Sequence, residues 1–358
     1  MFYIQDPRYP NERLLNEALL EACENALYGA GAYAFVSADG VNLLMNNQIF
    51  GNFIAKGSYS LIIGMDEITN TRTLAELNQF SSQYPNLTVR ALLHNTKGST
   101  FHPKYSWFKY QYGGMLVLGS GNLTAKGLRK NTEAFVVQPL DEGEIRAIER
   151  KWEDWVNCSE EWLKPLYARE VIERAEKNTR LSDKNAKLTT RDDELEAWQF
   201  DSNSDVLIAE LAVEYDIKKN KYHQVDFDIQ TGAIFFGADF SRNKDIVLRR
   251  VTSQGFIGGI ETASIHIVPG RKYRVEFIPC GHVQKWTKGF PFVVFVKLST
   301  RTFLYTVVNS EDRGYKQLKR EMDNKRSDLN SLLRYQTRGE VLQEKFNALA
   351  VLEYLCKG

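Results

Sequence analysis

Two residues in the middle of the first half of the chain have side chains suited to chemistry on a phosphodiester. His102 and Lys104 are separated by one residue, and residues two apart in an extended strand project to the same side. The imidazole can then attack phosphorus while the ammonium neutralises a non-bridging phosphate oxygen. The spacing predicts that both side chains converge on one phosphate.

A second predicted strand ends in a glycine-bracketed turn, GSGN at 119–122, whose glycines permit close backbone approach. The hydroxyl of Ser120 and the amide of Asn122 can bind phosphate oxygens. Glu133 opens the next strand, where its carboxylate can hold the distal nitrogen of His102 and fix the tautomer of the ring. The predicted catalytic set is therefore His102, Lys104, Ser120, Asn122 and Glu133.

These side chains must be positioned by a domain in which strands and helices alternate. Apolar runs of strand length alternate with segments of helical periodicity. They are the predicted strands 32–37, 58–66 and 87–95 and the predicted helices 11–28, 71–84 and 141–156. This alternation indicates an α/β domain with a mostly parallel sheet flanked by helices. The strands around the motif follow one another so closely that we expect this part of the sheet to be antiparallel.

The rest of the chain changes character twice. Residues 158–203 are polar and rich in charge, which predicts a helix followed by a solvated linker. From 204 onward, short apolar strands separated by Gly, Pro and Asn predict a small barrel or sandwich, with one strand in GAIFFGADF at 232–240. The tail 311–358 returns to helical spacing. The predicted domains are 1–157 and 204–358, joined by that linker.

Charge and composition narrow the classes of function. The net charge is +1 over 358 residues, but residues 201–358 carry 24 Lys and Arg against 19 Asp and Glu, a bias compatible with nucleic-acid binding. No apolar run approaches the roughly eighteen residues of a membrane span. The start of the chain does not read as a secretion signal, so a cytoplasmic location is expected. The cysteines lie too far apart to indicate a zinc knuckle or a disulfide framework.

The catalytic set resembles the signature of the phospholipase D superfamily, which is HxK, a later Gly/Ser-x-Asn and an acidic residue. It is most similar to the branch that contains the BfiI-type and NgoAVII-type restriction endonucleases. The matching segments are 102–104, 119–124 and 132–134. The resemblance implies a nucleophilic histidine, with the lysine and asparagine binding phosphate. The aspartate that usually follows the HxK lysine is absent, as in the nuclease branch, which argues against a lipid phospholipase.

The resemblance also implies a partner, and the sequence itself indicates that no metal is used. Superfamily chemistry uses two histidines, one that attacks and one that protonates the leaving oxygen. The chain has one HxK, so the resemblance implies a homodimer whose two motifs face each other across a two-fold axis. His94 in the same chain is the alternative second histidine. Clustered carboxylates that would hold Mg²⁺ are not evident in the sequence, so no metal cofactor is expected.

The segment 206–240 resembles the B3-like DNA-recognition domains of the same restriction enzymes, through the pattern AE…K-x-x-Q-V-x-F…FF. This resemblance implies a β pseudobarrel that binds double-stranded DNA. The candidate contacts are basic and amide residues in predicted loops, although each is also compatible with an ordinary solvated surface position. They are Lys218, Lys219, Lys221, Gln224, Arg242, Asn243, Lys244, Lys285 and Lys288.

Together, the catalytic set and these resemblances predict a sequence-specific DNA endonuclease of the restriction type. The alternatives are a nonspecific phosphodiesterase or phospholipase D-like hydrolase, and a DNA-binding or partner-docking protein with an inactive HxK. Some relatives in the resembled branch act with a helicase-like ATPase subunit. This chain has no GxxxxGK[ST] loop, so any use of ATP would require such a separate subunit.

Overall fold

The computed structural model forms two compact units. The first comprises Met1–Pro7 and Glu12–Ala197, and the second comprises Arg8–Asn11 and Trp198–Gly358. The predicted linker 158–203 lies across this boundary. The residues that the structure describes are 1–9, 12–66, 68–94, 99–186, 193–211, 223–238, 245–270, 272–277, 290–326 and 332–356.

The first unit is built on an eight-stranded mixed sheet with the order β1-β7-β6-β5-β2-β3-β4-β8. Strands β2, β3 and β4 are parallel, and the remaining pairs are antiparallel. The strands are β1 (Phe2–Gln5), β2 (Tyr28–Tyr33), β3 (Ser58–Gly64), β4 (Leu87–Leu92), β5 (Lys104–Lys109), β6 (Gly114–Gly119), β7 (Glu133–Leu140) and β8 (Leu163–Pro165). The predicted α/β sheet and its antiparallel part are confirmed, but the expectation of a mostly parallel sheet was wrong, because five of the seven neighbouring strand pairs are antiparallel.

Helices pack on this sheet, and side-chain caps fix where several of them begin. They are α1 (Leu15–Cys23), α2 (Ala38–Met45), α3 (Gln48–Lys56), α4 (Thr71–Gln83), α5 (Glu142–Cys158), α6 (Arg169–Ala186) and α7 (Asp193–Glu196). Asn70 accepts a hydrogen bond from the third residue of α4, and Asp141 forms a capping box with Glu144 at the start of α5. The helices α2 and α3 were not predicted. None of the described helices combines the length and apolar character needed to cross a bilayer.

The second unit contains another eight-stranded mixed sheet, with the order β10-β13-β12-β11-β15-β14-β9-β16. Only β11 and β15 pair in parallel among its described strands. The strands are β9 (Asp205–Glu210), β10 (His223–Phe227), β11 (Asp245–Val251), β12 (Ile257–Val268), β13 (Lys272–Phe277), β14 (Phe292–Ser299), β15 (Thr302–Val308) and β16 (Arg334–Arg338).

The guanidinium of a half-buried arginine links the two outermost strands of this second sheet. Arg334 on β16 donates to the carbonyl of Asp226 on β10 at 3.1 Å and to the carbonyl of Glu210 on β9 at 2.8 Å. Its group also lies over the ring of Phe227. Burial lowers the pKa of Arg334 to about 10. The link joins strands that make no backbone pairs with each other in the described part of the chain. A closed B3-like pseudobarrel therefore stays a prediction.

Two predictions for the second half of the chain were wrong in part. The stretch GAIFFGADF was predicted as a strand, but α8 (Ile229–Ile234) covers its start. Asp228 caps this helix by accepting from the backbone N–H of Thr231 at 2.9 Å, and this local bond overrides the apolar run. The predicted helical tail contains α9 (Tyr315–Asp323), α10 (Gly339–Lys345) and a 3₁₀ turn (Ala350–Tyr354), but β16 interrupts it by pairing with β9.

Candidate active site

The predicted catalytic residues lie where several strand ends meet at one edge of the first sheet. Strand β5 begins at Lys104, directly opposite the last residue of β2, Tyr33. Strand β7 begins at Glu133, directly opposite the last residue of β1, Gln5. The turn that follows β6 therefore projects from the same edge, and antiparallel pairing of β5, β6 and β7 brings the separate motifs together.

The side chains of His102 and Lys104 converge as predicted. The ammonium nitrogen of Lys104 lies 3.0 Å from both ring nitrogens of His102. His102 precedes β5 and is exposed, whereas Lys104 is only 9% exposed. The carbonyl of the intervening Pro103 accepts from the N–H of Ala34 at 2.8 Å, which ties the motif to the segment after β2. An exposed histidine thus lies beside a largely buried lysine.

The surroundings of Lys104 act on its charge in two opposing ways. Desolvation by burial lowers the pKa of the ammonium, and the nearby carboxylate of Glu133 raises it. Burial is the larger effect, so the charged form of Lys104 is destabilised relative to a lysine in water. A phosphate oxygen arriving at this site would provide the negative charge that favours the ammonium.

Glu133 does not contact His102 within this chain, contrary to the predicted role in fixing the tautomer. Its carboxylate accepts from the hydroxyl of Ser120 and, at 3.1 Å, from the side-chain amide of Asn131. The reason is the strand order, because β6 separates β7 from β5 and places Ser120 next to Glu133. Ser120 also accepts from the N–H of Ala134 at 3.0 Å, so its hydroxyl holds the two strand ends together.

Asn122 sits in a turn whose tight packing requires glycine on two sides. A Cβ on Gly127 would lie 2.5 Å from the carbonyl oxygen of Asn122, and a Cβ on Gly40 would lie 2.1 Å from the carbonyl oxygen of Leu123. Gly127 belongs to a π-helical turn (Lys126–Lys130), a rare conformation that often occurs at functional sites. The amide oxygen of Asn122 is buried and has no hydrogen-bond partner among the described residues.

Gln5 holds this turn in place through hydrogen bonds. This residue was not identified by the sequence analysis. It is fully buried, and its amide donates to the carbonyls of Gly127 at 3.1 Å and Asn131 at 2.9 Å. Its amide oxygen accepts from the N–H of Leu15 at 2.8 Å. One side chain therefore joins β1, the start of α1 and both ends of the π-helical turn. No local pattern marks this glutamine, because its partners are distant in the chain.

An aromatic ring beside the histidine was also missed. The ring of Phe35 meets the imidazole of His102 edge to face, with centroids 5.9 Å apart. Phe35 lies in a stretch that the apolar pattern assigned to a strand, so nothing in the sequence distinguished it from a core residue. The contact with Phe35 helps to hold the imidazole of His102 in the orientation that the structure shows.

The structure describes one of the nine predicted DNA contacts. Lys218, Lys219, Lys221, Arg242, Asn243, Lys244, Lys285 and Lys288 lie outside the residues that the structure describes. The exception is Gln224 on β10, whose side-chain amide donates to Glu276 on the neighbouring β13 at 3.0 Å. A base contact by Gln224 would have to compete with that hydrogen bond.

The site has the donor set of phosphate chemistry. An accessible ring nitrogen can act as a nucleophile, while the Lys104 ammonium and the Asn122 amide can stabilise negative charge on a phosphate. In the described ranges, no three His, Cys, Asp or Glu side chains cluster in the way that a metal site requires.

Comparison with known proteins gives distant structural similarities. No protein-family profile and no characterised protein matches the sequence. NucT from Helicobacter pylori is 16% identical with a TM-score of 0.33, and the match covers 46% of this chain and 97% of NucT. Nuc from Salmonella typhimurium, described as a phospholipase D family member, is 14% identical with a TM-score of 0.33 over 46% of this chain and 98% of Nuc. Yeast tyrosyl-DNA phosphodiesterase is 13% identical with a TM-score of 0.28 over 39% of this chain and 32% of that enzyme. These values do not assign the chain to a family.

The hydrogen bonds of Gln5 can be tested through stability. Gln5→Leu keeps a side chain of similar size but leaves two carbonyls and one N–H without their partner. Because buried unpaired polar groups are costly, we expect the free energy of unfolding to fall by about 3 kcal/mol. Urea denaturation followed by circular dichroism measures the change. Gln138→Leu, at an exposed position of β7, is the matched control and should shift stability by no more than about 0.5 kcal/mol. Equal losses in both variants would contradict the bracing role of Gln5.

Proposed function

We propose that this protein is a sequence-specific DNA endonuclease of the restriction type, which hydrolyses phosphodiester bonds through a phosphohistidine intermediate and needs no metal. The observation that carries this proposal is the 3.0 Å approach of the Lys104 ammonium to the ring nitrogens of an exposed His102. The turn bearing Ser120 and Asn122 projects from the same sheet edge.

In the proposed reaction, a ring nitrogen of His102 attacks phosphorus, and the bond from phosphorus to the leaving sugar oxygen breaks. A second histidine donates a proton to that oxygen. It then takes a proton from water, whose oxygen attacks phosphorus and breaks the phosphorus–nitrogen bond. His102 is restored and the phosphate remains on one DNA end. Lys104 and Asn122 stabilise the charge on the phosphate oxygens during both steps.

The buried position of Lys104 suits this role. Lys104 as a whole is only 9% exposed, and partial removal of its side chain from water strengthens its attraction to a phosphate oxygen relative to an open surface. The same burial disfavors the charged lysine when no anion is bound. Phosphate binding would therefore favour the protonation state that the reaction needs.

The second histidine is supplied, in this proposal, by His102 of a second copy of the chain. A homodimer with the two motifs facing across a two-fold axis would hold one composite active site. His94, the alternative, follows β4 in the first unit, and neither a hydrogen bond nor a ring contact joins it to His102 in the described part of the chain.

Sequence specificity would come from the second unit, because chemistry directed at phosphate carries no base information. The predicted B3-like character of that unit and its candidate DNA contacts, including Gln224 on β10, belong to this proposal. A helicase-like ATPase partner and a cytoplasmic location are also part of this proposal. The competing possibility is a nonspecific phosphodiesterase. The products formed from plasmid DNA distinguish this activity from sequence-specific cleavage.

The nucleophile is tested by cleavage of plasmid DNA in the presence of EDTA. The wild-type protein should produce discrete fragments, and His102→Ala should lower the rate by at least about a thousandfold because the attacking atom is gone. His266→Ala, an exposed histidine on β12, is the matched control and should cleave normally. A gel-shift assay should show that His102→Ala still binds DNA.

Three results would contradict different parts of this proposal. Unchanged cleavage by His102→Ala would remove His102 from the mechanism. Loss of wild-type cleavage in EDTA would contradict metal independence. A smear in place of discrete fragments would favour the nonspecific phosphodiesterase.

The composite site is tested by the oligomeric state of the active protein. Size-exclusion chromatography with light scattering should give twice the chain mass of 41.1 kDa for the fractions that cleave DNA. Activity in a strictly monomeric fraction would contradict the donation of a proton by a second copy. His94 would then be the candidate for the second histidine.

A further inference from the structure

Positive charge is concentrated in the π-helical turn that packs against Asn122. The turn, Lys126–Lys130, has the sequence KGLRK and therefore holds three cations in five residues. Residues 1–157 carry 14 Lys and Arg against 16 Asp and Glu, so the surrounding domain has an excess of negative charge. We expect such a domain to contact a polyanion where its cations are concentrated, and this turn is such a place.

The ammonium groups of the two lysines in this turn converge on Glu196 of α7. The nitrogen of Lys126 lies 2.6 Å from a carboxylate oxygen of Glu196, and Lys130 donates to the backbone carbonyl of the same residue at 2.8 Å. The third cation, Arg129, is only 3% exposed and is not accessible to a ligand. Two ammonium groups that meet at the oxygen atoms of one residue have the arrangement of an anion site.

Direct contacts join this turn to the candidate active site. A Cβ on Gly127 would lie 2.5 Å from the carbonyl oxygen of Asn122 and 2.7 Å from its backbone nitrogen. At the other end of the turn, the N–H of Asn131 donates to the carbonyl of Lys126 at 2.7 Å. The side-chain amide of Asn131 in turn donates to Glu133 at 3.1 Å. DNA bound at Asn122 is therefore within reach of long side chains on this turn.

The ion pair between Lys126 and Glu196 is of a kind that another anion can displace. The two side chains are 28% and 22% exposed, so water screens the attraction between them. A DNA phosphate carries one negative charge, as the carboxylate does, but DNA also releases condensed counterions when a lysine neutralises a phosphate. DNA can therefore compete with this carboxylate for the lysines.

We propose that Lys126 and Lys130 bind a backbone phosphate of DNA, and that Glu196 competes with DNA for these two lysines. This assignment rests on the proposed function in one respect, because it takes DNA as the ligand that reaches Asn122. Contacts with phosphate carry no base information, so the lysines contribute affinity at every DNA sequence.

The test measures binding of a random-sequence DNA duplex by fluorescence anisotropy at several salt concentrations. Every protein in the series also carries His102→Ala, so that cleavage does not interfere. We expect Lys126→Ala and Lys130→Ala each to reduce the steepness of log K against log salt by about 1, because one phosphate contact is lost. Glu196→Gln should raise the affinity about threefold, because the competing negative charge is gone.

A second ion pair of the same unit supplies the matched control. Lys109 and Glu149 lie 2.7 Å apart with side chains 37% and 22% exposed, and Lys109 is at the end of β5 opposite to Lys104. Lys109→Ala and Glu149→Gln should leave the affinity and its salt dependence unchanged. Lys126→Arg keeps the charge and should retain the affinity. A loss in Lys126→Arg equal to that in Lys126→Ala would contradict a phosphate contact.

The outcomes distinguish this phosphate site from the proposed function. If the wild-type protein cleaves DNA but the variants at Lys126, Lys130 and Glu196 bind it like the controls, the site is wrong while the proposed function stands. If those variants alter DNA binding as expected but the wild-type protein does not cleave DNA, the site stands and the nuclease assignment fails. Absence of DNA binding by every protein in the series would contradict both.

Discussion

The candidate site depends on keeping a largely buried lysine next to an exposed histidine. Lys104 is 9% exposed, and its nitrogen lies 3.0 Å from the ring nitrogens of His102. A cation withdrawn from water is costly unless negative charge compensates it. Within the chain, the carboxylate of Glu133 compensates part of that charge, because it raises the pKa of Lys104 against the effect of burial. In the proposed function, a bound phosphate supplies the rest of that charge.

The remaining architecture keeps this pair beside the Asn122 turn. Antiparallel return of β5, β6 and β7 places three motifs at one sheet edge. Gln5 then holds the carbonyls on both sides of the π-helical turn, and Ser120 joins the ends of β6 and β7. Preorganisation of this kind lowers the cost of arranging donors around a developing charge, which is how electrostatic catalysis works.

The sequence predicted those features that depend on local periodicity and spacing. The convergence of His102 and Lys104 followed from a period of two, and the antiparallel strands followed from short connections. It did not predict Gln5, whose partners Gly127 and Asn131 are 122 and 126 residues away. It misassigned the carboxylate of Glu133, because strand order decides whether Ser120 or His102 is the neighbour. It also read GAIFFGADF as a strand, where the cap from Asp228 starts a helix instead.

The most direct measurement is to stop the cleavage reaction early and search for DNA attached to the protein. Because phosphorus–nitrogen bonds are labile in acid, the reaction is quenched in alkaline detergent, and the digested protein is examined by mass spectrometry. The covalent mechanism predicts a nucleotide on the peptide that contains His102, and none in His102→Ala. Cleavage that proceeds with the nucleotide on another residue, or with no adduct under conditions that slow the hydrolysis step, would contradict it.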